Sequence, residues 1–153
     1  MTNQQLEEVV KRLGVEAVIS EAQFLTVEVP FDKLFDLARN LKENEQTQMD
    51  YLILITGVDY VSSFGCTYLL SSTTHNHYMV LKTRNIDKAN PRVDSVTSLW
   101  QTAEYHEREI YDLMGITFNN HPDMRRMFLD ESWVGHPLRK DYVDESNIIE
   151  RKY

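Results

Sequence analysis

The stretch from Ala103 to Phe118, AEYHEREIYDLMGITF, holds a dense group of side chains that could do chemistry. Its ionisable residues are Glu104, His106, Glu107, Arg108, Glu109 and Asp112. A helical zinc site of the H-E-x-x-H kind needs a second histidine four residues after His106, and Ile110 stands there. A metal hydrolase would have to use His106 and Glu107 with a third ligand from His121 or His136. Such an enzyme is one hypothesis for this chain.

Three of these side chains have the spacing of a solvated helix face. Glu104, Arg108 and Asp112 follow each other at steps of four, which brings them together on one side of a helix. The spacing predicts two exposed ion pairs, each contributing about 0.3–0.5 kcal/mol.

Glu107 has a different position on the same helix. It falls on an apolar stripe whose other members are Trp100, Ala103, Ile110 and Met114. A buried carboxylate is costly unless it is paired. Glu107 must therefore either extend its carboxylate outward to solvent or meet a basic partner from the following segment, either Arg125, Arg126 or Arg139. The paired and partly buried arrangement is favoured.

The elements that must position this helix can be predicted from the periodicity of apolar residues. Helices are predicted at Thr2–Leu13, Pro30–Glu45 and Ser98–Met114, and strands at Val15–Glu21, Phe24–Pro30, Tyr51–Val61, Cys66–Ser71 and Tyr78–Thr83. The last two strands are expected to form a hairpin, and the apolar run 51–61 is expected to be a central strand. The order of elements predicts an α+β fold with a mostly antiparallel sheet.

Composition excludes several function classes. The 153 residues suit one domain, and the net charge of −8 argues against binding to nucleic acid by simple electrostatics. The sequence contains neither of the glycine-rich phosphate-binding motifs, G-x-x-x-x-G-K-[ST] and G-x-G-x-x-G, so nucleotide binding has no support. No apolar run is long enough to span a membrane, and no signal peptide is evident at the start.

Other candidate ligands are isolated. Cys66 is the only cysteine, which excludes an iron–sulfur cluster held by this chain's own thiolates and predicts a buried structural thiol. His75 and His77 make half of a zinc site at most, and a polar hairpin turn is the favoured interpretation.

A strap, residues 116–153, follows the helix and shows no clear period. Pro122 and Pro137 favour extended backbone before them, and each His-Pro pair is followed by adjacent basic residues. Its aromatic, Met and Arg content is typical of an interface. We expect Met127, Phe128 and Leu129 to point inward and Arg125, Arg126, Arg139 and Lys140 to point outward.

Two blocks in this part of the chain resemble a known family. EREIYDLMGITFNNHPDMRR at 107–126, followed by GHPLRKDY at 135–142, is similar to the C-type subunit of respiratory NADH:quinone oxidoreductase, or complex I. Related subunits occur in photosynthetic NDH complexes and energy-converting hydrogenases. The chain departs from the family at 130–133, where it reads Asp-Glu-Ser-Trp and the family tends to read Pro-Glu-Asp-Trp.

The resemblance implies a non-redox accessory subunit in the peripheral arm of an ion-translocating electron-transfer complex. Its partners would be a large hydrogenase-like subunit at the quinone site, a ferredoxin-like iron–sulfur subunit and other peripheral-arm subunits. Iron–sulfur clusters, FMN and quinone would belong to those partners, with no cofactor in this chain. The complex would hold the chain peripherally at the cytoplasmic face of the inner membrane. The equivalent subunit of a ferredoxin-linked membrane-bound hydrogenase is the alternative.

The resemblance also marks residues with roles in partner binding or in the fold. They are Glu107, Arg108, Glu109, Tyr111, Asp112, Gly115, His121, Pro122, Arg125, Arg126, Trp133, Gly135, His136, Pro137, Arg139, Lys140, Asp141 and Tyr142. A division into an α+β domain, 1–115, and the strap, 116–153, is expected.

Overall fold

The protein is described by a computed structural model that covers residues 2–14, 17–21 and 23–144. Its helices are α1 (Asn3–Arg12), α2 (Leu34–Glu43) and α3 (Ala103–Met114), and a short 3-10 helix, Phe31–Lys33, precedes α2. Its strands are β1 (Val18–Glu21), β2 (Leu25–Pro30), β3 (Tyr51–Asp59), β4 (Phe64–Ser72), β5 (His77–Ile86), β6 (Arg92–Asp94) and β7 (Thr117–Asn119). The predicted α+β fold is confirmed.

Five strands form one sheet in the order β1-β2-β5-β4-β3. The β4–β5 hairpin is antiparallel as predicted, and so are the β1–β2 and β3–β4 pairs. The β2–β5 pair is parallel, which makes the sheet mixed. Because β5 follows β2 only after α2, β3 and β4, local sequence patterns do not reveal this pairing.

One face of the sheet carries the core. The alternating residues of β4 and β5 on that face, such as Tyr68 and Leu81, are almost completely buried. The apolar sides of α1 and α2 belong to the same cluster, and Thr2 caps α1 through a reciprocal pair of hydrogen bonds with Gln5. The opposite face carries more exposed side chains, including Tyr78 and Arg84.

A glycine on β3 places α3 close to the sheet. A Cβ atom at Gly57 would come within 2.5 Å of the Met114 sulfur and 3.1 Å of Ile110 Cγ2. A side chain at this position would have to displace the Met114 and Ile110 side chains, so glycine lets α3 lie close to β3.

Two predictions about these elements are wrong. The apolar run 51–61 is an edge strand and not a central one, and Tyr51 and Leu54 on it are exposed. Helix α3 begins at Ala103 and not at Ser98, because 97–102 form turns in which the amides of Leu99 and Trp100 bond to the Val96 carbonyl. The two-stranded parallel pair β6–β7 was not predicted, since strands of three residues carry almost no periodic signal.

Candidate functional site

The C-terminal end of α3 is the point at which the predicted site residues meet. The helix ends at Gly115, whose φ of 71° is left-handed, and whose amide bonds to the Tyr111 carbonyl at 2.8 Å. The carbonyls of the last helical turn have no partner within a helix. Here residues of the strap supply those partners.

Three carbonyls at this end accept hydrogen bonds from the strap. The Asp112 carbonyl accepts from His136 Nδ1 at 2.9 Å, so His136 must carry a proton on that nitrogen. The Leu113 carbonyl accepts from the amide of Leu138 at 2.9 Å, and the Met114 carbonyl accepts from Arg139 Nε at 2.6 Å. Positive charge at this end of a helix is also favourable because the helix dipole is negative there.

The Asp112 carboxylate organises the start of the strap. Its Oδ1 accepts from Arg126 Nη1 at 2.8 Å, and its Oδ2 accepts from the backbone amides of residues 127, 128 and 129 at 3.0, 2.6 and 3.0 Å. Burial alone would raise the pKa of this carboxyl. The three amides and the Arg126 guanidinium outweigh burial and lower the pKa of Asp112 to about 2.

Arg126 joins Asp112 to a second part of the strap. Its Nη2 donates to the carbonyls of Trp133 and Gly135, each at 3.1 Å, and its Nη1 also reaches the Asp112 carbonyl at 3.2 Å. The planar guanidinium suits this role because its donors point in fixed directions. Arg108 adds two weaker bonds to the carbonyls of Arg125 and Arg126.

A second buried carboxylate holds the end of this segment. Asp59, at the end of β3, accepts from the backbone amide of Lys140 at 2.9 Å and from the amide of Val61 at 2.8 Å. Lys88 Nζ forms an ion pair with Asp59 Oδ2 at 3.1 Å. Burial works against ionisation, but the hydrogen bonds and Lys88 lower the pKa of Asp59 overall. Sequence analysis missed Asp59 and Lys88, because the acid lies at the end of an apolar strand far from the strap in sequence.

Glu107 is buried, as the favoured alternative predicts, but the predicted basic partner is wrong. Its Oε1 accepts from the amide of Val96 at 2.8 Å, and the Ser95 hydroxyl lies beside it. Within the described residues no Lys or Arg pairs with it. Burial dominates these hydrogen bonds and raises the pKa of Glu107 to about 7.

The predicted orientation of the strap is also corrected. Arg126 and Arg139 point inward to the end of α3, because the helix carbonyls and Asp112 need donors. Phe128 points outward and is 62% exposed. Arg125 and Lys140 are exposed as predicted, and Met127 and Leu129 are half-buried.

The two ion pairs predicted for Glu104, Arg108 and Asp112 are wrong. Asp112 is fully buried and pairs with Arg126, while Arg108 bonds to carbonyls of the strap. The spacing is correct for a helix, but this side of α3 is covered by the strap and not by water. A local spacing rule does not take account of a segment that arrives later in the chain.

The remaining marked residues lie around the same helix. His121 bonds through Nε2 to the Glu104 carbonyl at 3.0 Å, and the Tyr111 and His136 rings lie 6.4 Å apart. Asp141 Oδ2 lies 3.4 Å from Lys88 Nζ. Glu109 and Pro122 are exposed, and Pro137 and Trp133 are half-buried. A Cβ atom added at Gly135 would lie 2.9 Å from the Tyr142 ring.

The metal-hydrolase hypothesis finds no support in this geometry. Among the described residues, no three His, Cys, Asp or Glu side chains are grouped so that they could hold a metal ion. His121 is occupied by the Glu104 carbonyl and the Asp123 amide, and His136 by the Asp112 carbonyl. Cys66 is buried as predicted, and burial raises its pKa to about 12.

Gly115 provides a test of how tightly the strap packs on α3. A Cβ atom there would come within 2.5 Å of Arg139 Nη2 and of the His136 ring. We expect Gly115→Ala to lower the free energy of unfolding by about 1–2 kcal/mol from left-handed backbone strain alone, and by more from displacement of these side chains. Denaturant unfolding of the purified chain measures the change.

Gly14 is the matched control for this substitution. Its φ of 68° is nearly the same, and a Cβ atom there would have none of the described residues within 4 Å. We expect Gly14→Ala to show the strain alone. Equal losses for the two variants would show that Arg139 and His136 do not pack against the end of α3.

Comparison with protein families gives a match over most of the chain. The family model described as "Respiratory-chain NADH dehydrogenase, 30 Kd subunit" matches residues 27–147. The C-type subunit of an NADH-quinone oxidoreductase from Roseiflexus sp. is 39% identical, over 82% of this chain and 75% of that protein. A combined C/D-type protein of the same oxidoreductase from Phocaeicola vulgatus is 43% identical over 80% of this chain, which spans only about a quarter (24%) of that longer protein.

Two solved structures have a similar fold. The trypsin-resistant fragment of Nqo5 has a TM-score of 0.64 and 25% identity, covering 80% of this chain and 99% of that one. A chain from the membrane-bound sulfane sulfur reductase, an archaeal respiratory membrane complex, has a TM-score of 0.79, 22% identity and 98% coverage of both chains. At that identity the second match shows the fold alone. Within the described ranges, no helix has the length and apolar content to cross a membrane.

Proposed function

The chain belongs to the respiratory-chain NADH dehydrogenase 30 kDa subunit family, and from this membership we propose that it is a non-redox accessory subunit of an NADH:quinone oxidoreductase-type complex. Its role would be to brace neighbouring subunits of the peripheral arm. The complex would be ion-translocating and would hold this chain peripherally at the cytoplasmic face of the membrane.

The observation that carries this proposal is the outward side of the strap. Four large apolar residues of this part of the chain are exposed: Phe128 at 62%, Val134 at 86%, Leu138 at 60% and Val143 at 68%. We call these four residues the exposed apolar set. Val134 and Val143 line one shallow depression, of which Gly135 and Tyr142 also form part. Exposed apolar side chains on a firmly bonded backbone are typical of a protein–protein interface.

The bonding of the strap to α3 supports such a role. Asp112, Arg126 and Asp59 fix the backbone from which the exposed apolar set projects. A surface that is already ordered loses less conformational entropy on binding, so a modest area can bind firmly. The charged helix α3 would therefore act through the strap and not by direct contact with a partner.

The relatives suggest which partners to expect. A C-type region and a D-type region occur in one chain in the combined C/D-type relative, which supports close association of a C-type chain with a second subunit. We propose the large hydrogenase-like subunit at the quinone site and the ferredoxin-like iron–sulfur subunit as partners. Iron–sulfur clusters, FMN and quinone would be held by partner subunits.

Loss of partners is the expected result of charging the exposed apolar set. We expect a tagged Val134→Asp, Leu138→Asp double variant to recover at least ten-fold less partner protein from its native cell, because each interface residue can contribute about 1 kcal/mol or more. Co-purification followed by mass spectrometry of the recovered subunits measures this effect. Circular dichroism of the isolated variant should be unchanged.

Val18→Asp is the control for the docking test. Val18 is 69% exposed on the edge strand β1, away from the strap in the fold. We expect this variant to recover partners like the wild type. Full recovery of partners with the strap double variant would show that the exposed apolar set does not face another subunit.

A further inference from the structure

Seven buried side-chain polar atoms have no hydrogen-bond partner within the described residues, and three of them belong to α3, β4 and β5. These three are Oε2 of Glu107, the hydroxyl of Tyr68 and Oγ1 of Thr83. The three residues are 0%, 1% and 0% exposed. A buried polar group without a partner destabilises the folded state. Three such atoms in one region require an explanation.

The sheet register brings two of these residues together. Thr83 of β5 stands opposite Cys66 of β4, and Tyr68 is two residues further along β4 on the same buried face. The Cys66 thiol is close enough to contribute to the raised pKa of Tyr68. Tyr68 and Thr83 are thus both close to Cys66.

Glu107 reaches the same place from α3. Burial is the main cause of the raised pKa values of Cys66 and Tyr68, and the nearby Glu107 charge raises both further. Helix α3 packs directly on β3 at Gly57, which is the partner of Cys66 in the β3–β4 ladder. Glu107 Oε1 is already bonded to the Val96 amide, which leaves Oε2 for this region.

The chemistry of these atoms matches water. A carboxyl oxygen and two hydroxyls offer both donors and acceptors, and a buried water typically makes about three hydrogen bonds. A cation would need more negative ligands than one carboxyl, and the described residues contain no cluster suited to a metal. The ionisable groups around Glu107 are the Cys66 thiol and the Tyr68 phenol, and neither is charged at neutral pH.

We propose that the core binds one structural water molecule between Glu107 Oε2, the Tyr68 hydroxyl and Thr83 Oγ1. This water links α3 to β4 and β5 and completes the hydrogen bonding of all three groups. It also supplies the polar contact that helps Glu107 to ionise inside the core. The proposal concerns this chain's own fold and does not depend on the partner subunits.

Water–protein NOE spectra of the full chain in ¹⁵N/¹³C-labelled form test the site. We expect a cross-peak between a long-lived water and the Thr83 methyl group in the wild type, because a water inside the core exchanges slowly with solvent. The cross-peak should be lost in Tyr68→Phe, which removes one of the three partners. Thr83→Val is the second variant, in case Tyr68→Phe folds poorly. In Thr83→Val the cross-peak between the water and the Tyr68 ring protons should be lost.

The pH titration of the Glu107 side-chain carboxyl carbon provides an independent readout. Thr83→Val and Tyr68→Phe should each move its midpoint to higher pH, because the ionised carboxyl loses a water-mediated donor. The carboxyl of Asp50, whose pKa is lowered by its hydrogen bonds to Thr73, is the internal control, and its midpoint should not move. Absence of the long-lived water in the folded wild type, or an unchanged Glu107 midpoint in both variants, would overturn the proposal.

Discussion

Asp112→Ala should be among the most destabilising single substitutions in this chain, with a loss of about 3–5 kcal/mol in the free energy of unfolding. The substitution leaves Arg126, whose side chain is only 13% exposed, without its anion. It also leaves the amides of residues 127–129 without their acceptor. Breaking a buried pair from one side costs more than the pair contributes, because the remaining charge stays in a poorly solvated place. Denaturant unfolding measures the loss.

Hydrogen exchange should show where Asp112→Ala acts. We expect the amides of residues 127–129 to exchange nearly as fast as in an unfolded segment, while the amides of β4 and β5 lose protection only by the amount that the fall in global stability requires. Asp123→Ala is the matched control, because Asp123 forms an exposed pair with Arg125 at 2.8 Å and should change stability by less than about 0.5 kcal/mol. Similar losses for both aspartates would contradict the role assigned to Asp112.

The same contacts change the expected effect of the arginines on assembly. From the sequence, Arg126 and Arg139 were expected to bind partner subunits directly. In the structure they bind Asp112 and the end of α3. Their removal would therefore disturb partner binding only by loosening the strap, and the exposed apolar set is the more direct surface to test.

Local patterns predicted the elements that depend on neighbouring residues. The β4–β5 hairpin was found because alternating apolar residues flank a polar turn, and the end of α3 was found because Gly115 follows the last apolar residue. The parallel β2–β5 pair and the edge position of β3 depend on contacts between distant parts of the chain. Periodicity within one segment contains no information about them.

In the candidate site, too, features set by neighbouring residues could be predicted and features set by distant contacts could not. The burial of Glu107 followed from its place in an apolar stripe, whereas its partner is a backbone amide at Val96, which no side-chain pattern can identify. The inward direction of Arg126 and Arg139 follows from unpaired carbonyls at the end of a helix. That need could have been recognised from the sequence, since every helix has such carbonyls and basic residues often satisfy them.

Glu107 should make the stability of the wild type fall as the pH rises from 4.5 to about 7. Its folded-state pKa of about 7 lies above its ordinary value of 4.5, so in this interval the folded chain binds a proton that the unfolded chain has lost. The contribution is fully present below pH 4.5 and is lost as the pH rises through 7. With about 1.4 kcal/mol for each tenfold change in proton affinity, the loss is about 3 kcal/mol.

Glu107→Gln isolates this contribution. A glutamine resembles the protonated acid, because its oxygen can still accept from the Val96 amide and its nitrogen is a donor. His77 and His136, whose pKa values burial lowers, oppose the Glu107 trend in the same pH range. They are present in both proteins, so the difference between wild type and variant removes them. We expect the two chains to be about equally stable near pH 4.5 and the variant to be more stable by about 3 kcal/mol above pH 7. A difference in denaturant midpoint that does not change with pH would show that Glu107 is ionised in the folded chain throughout.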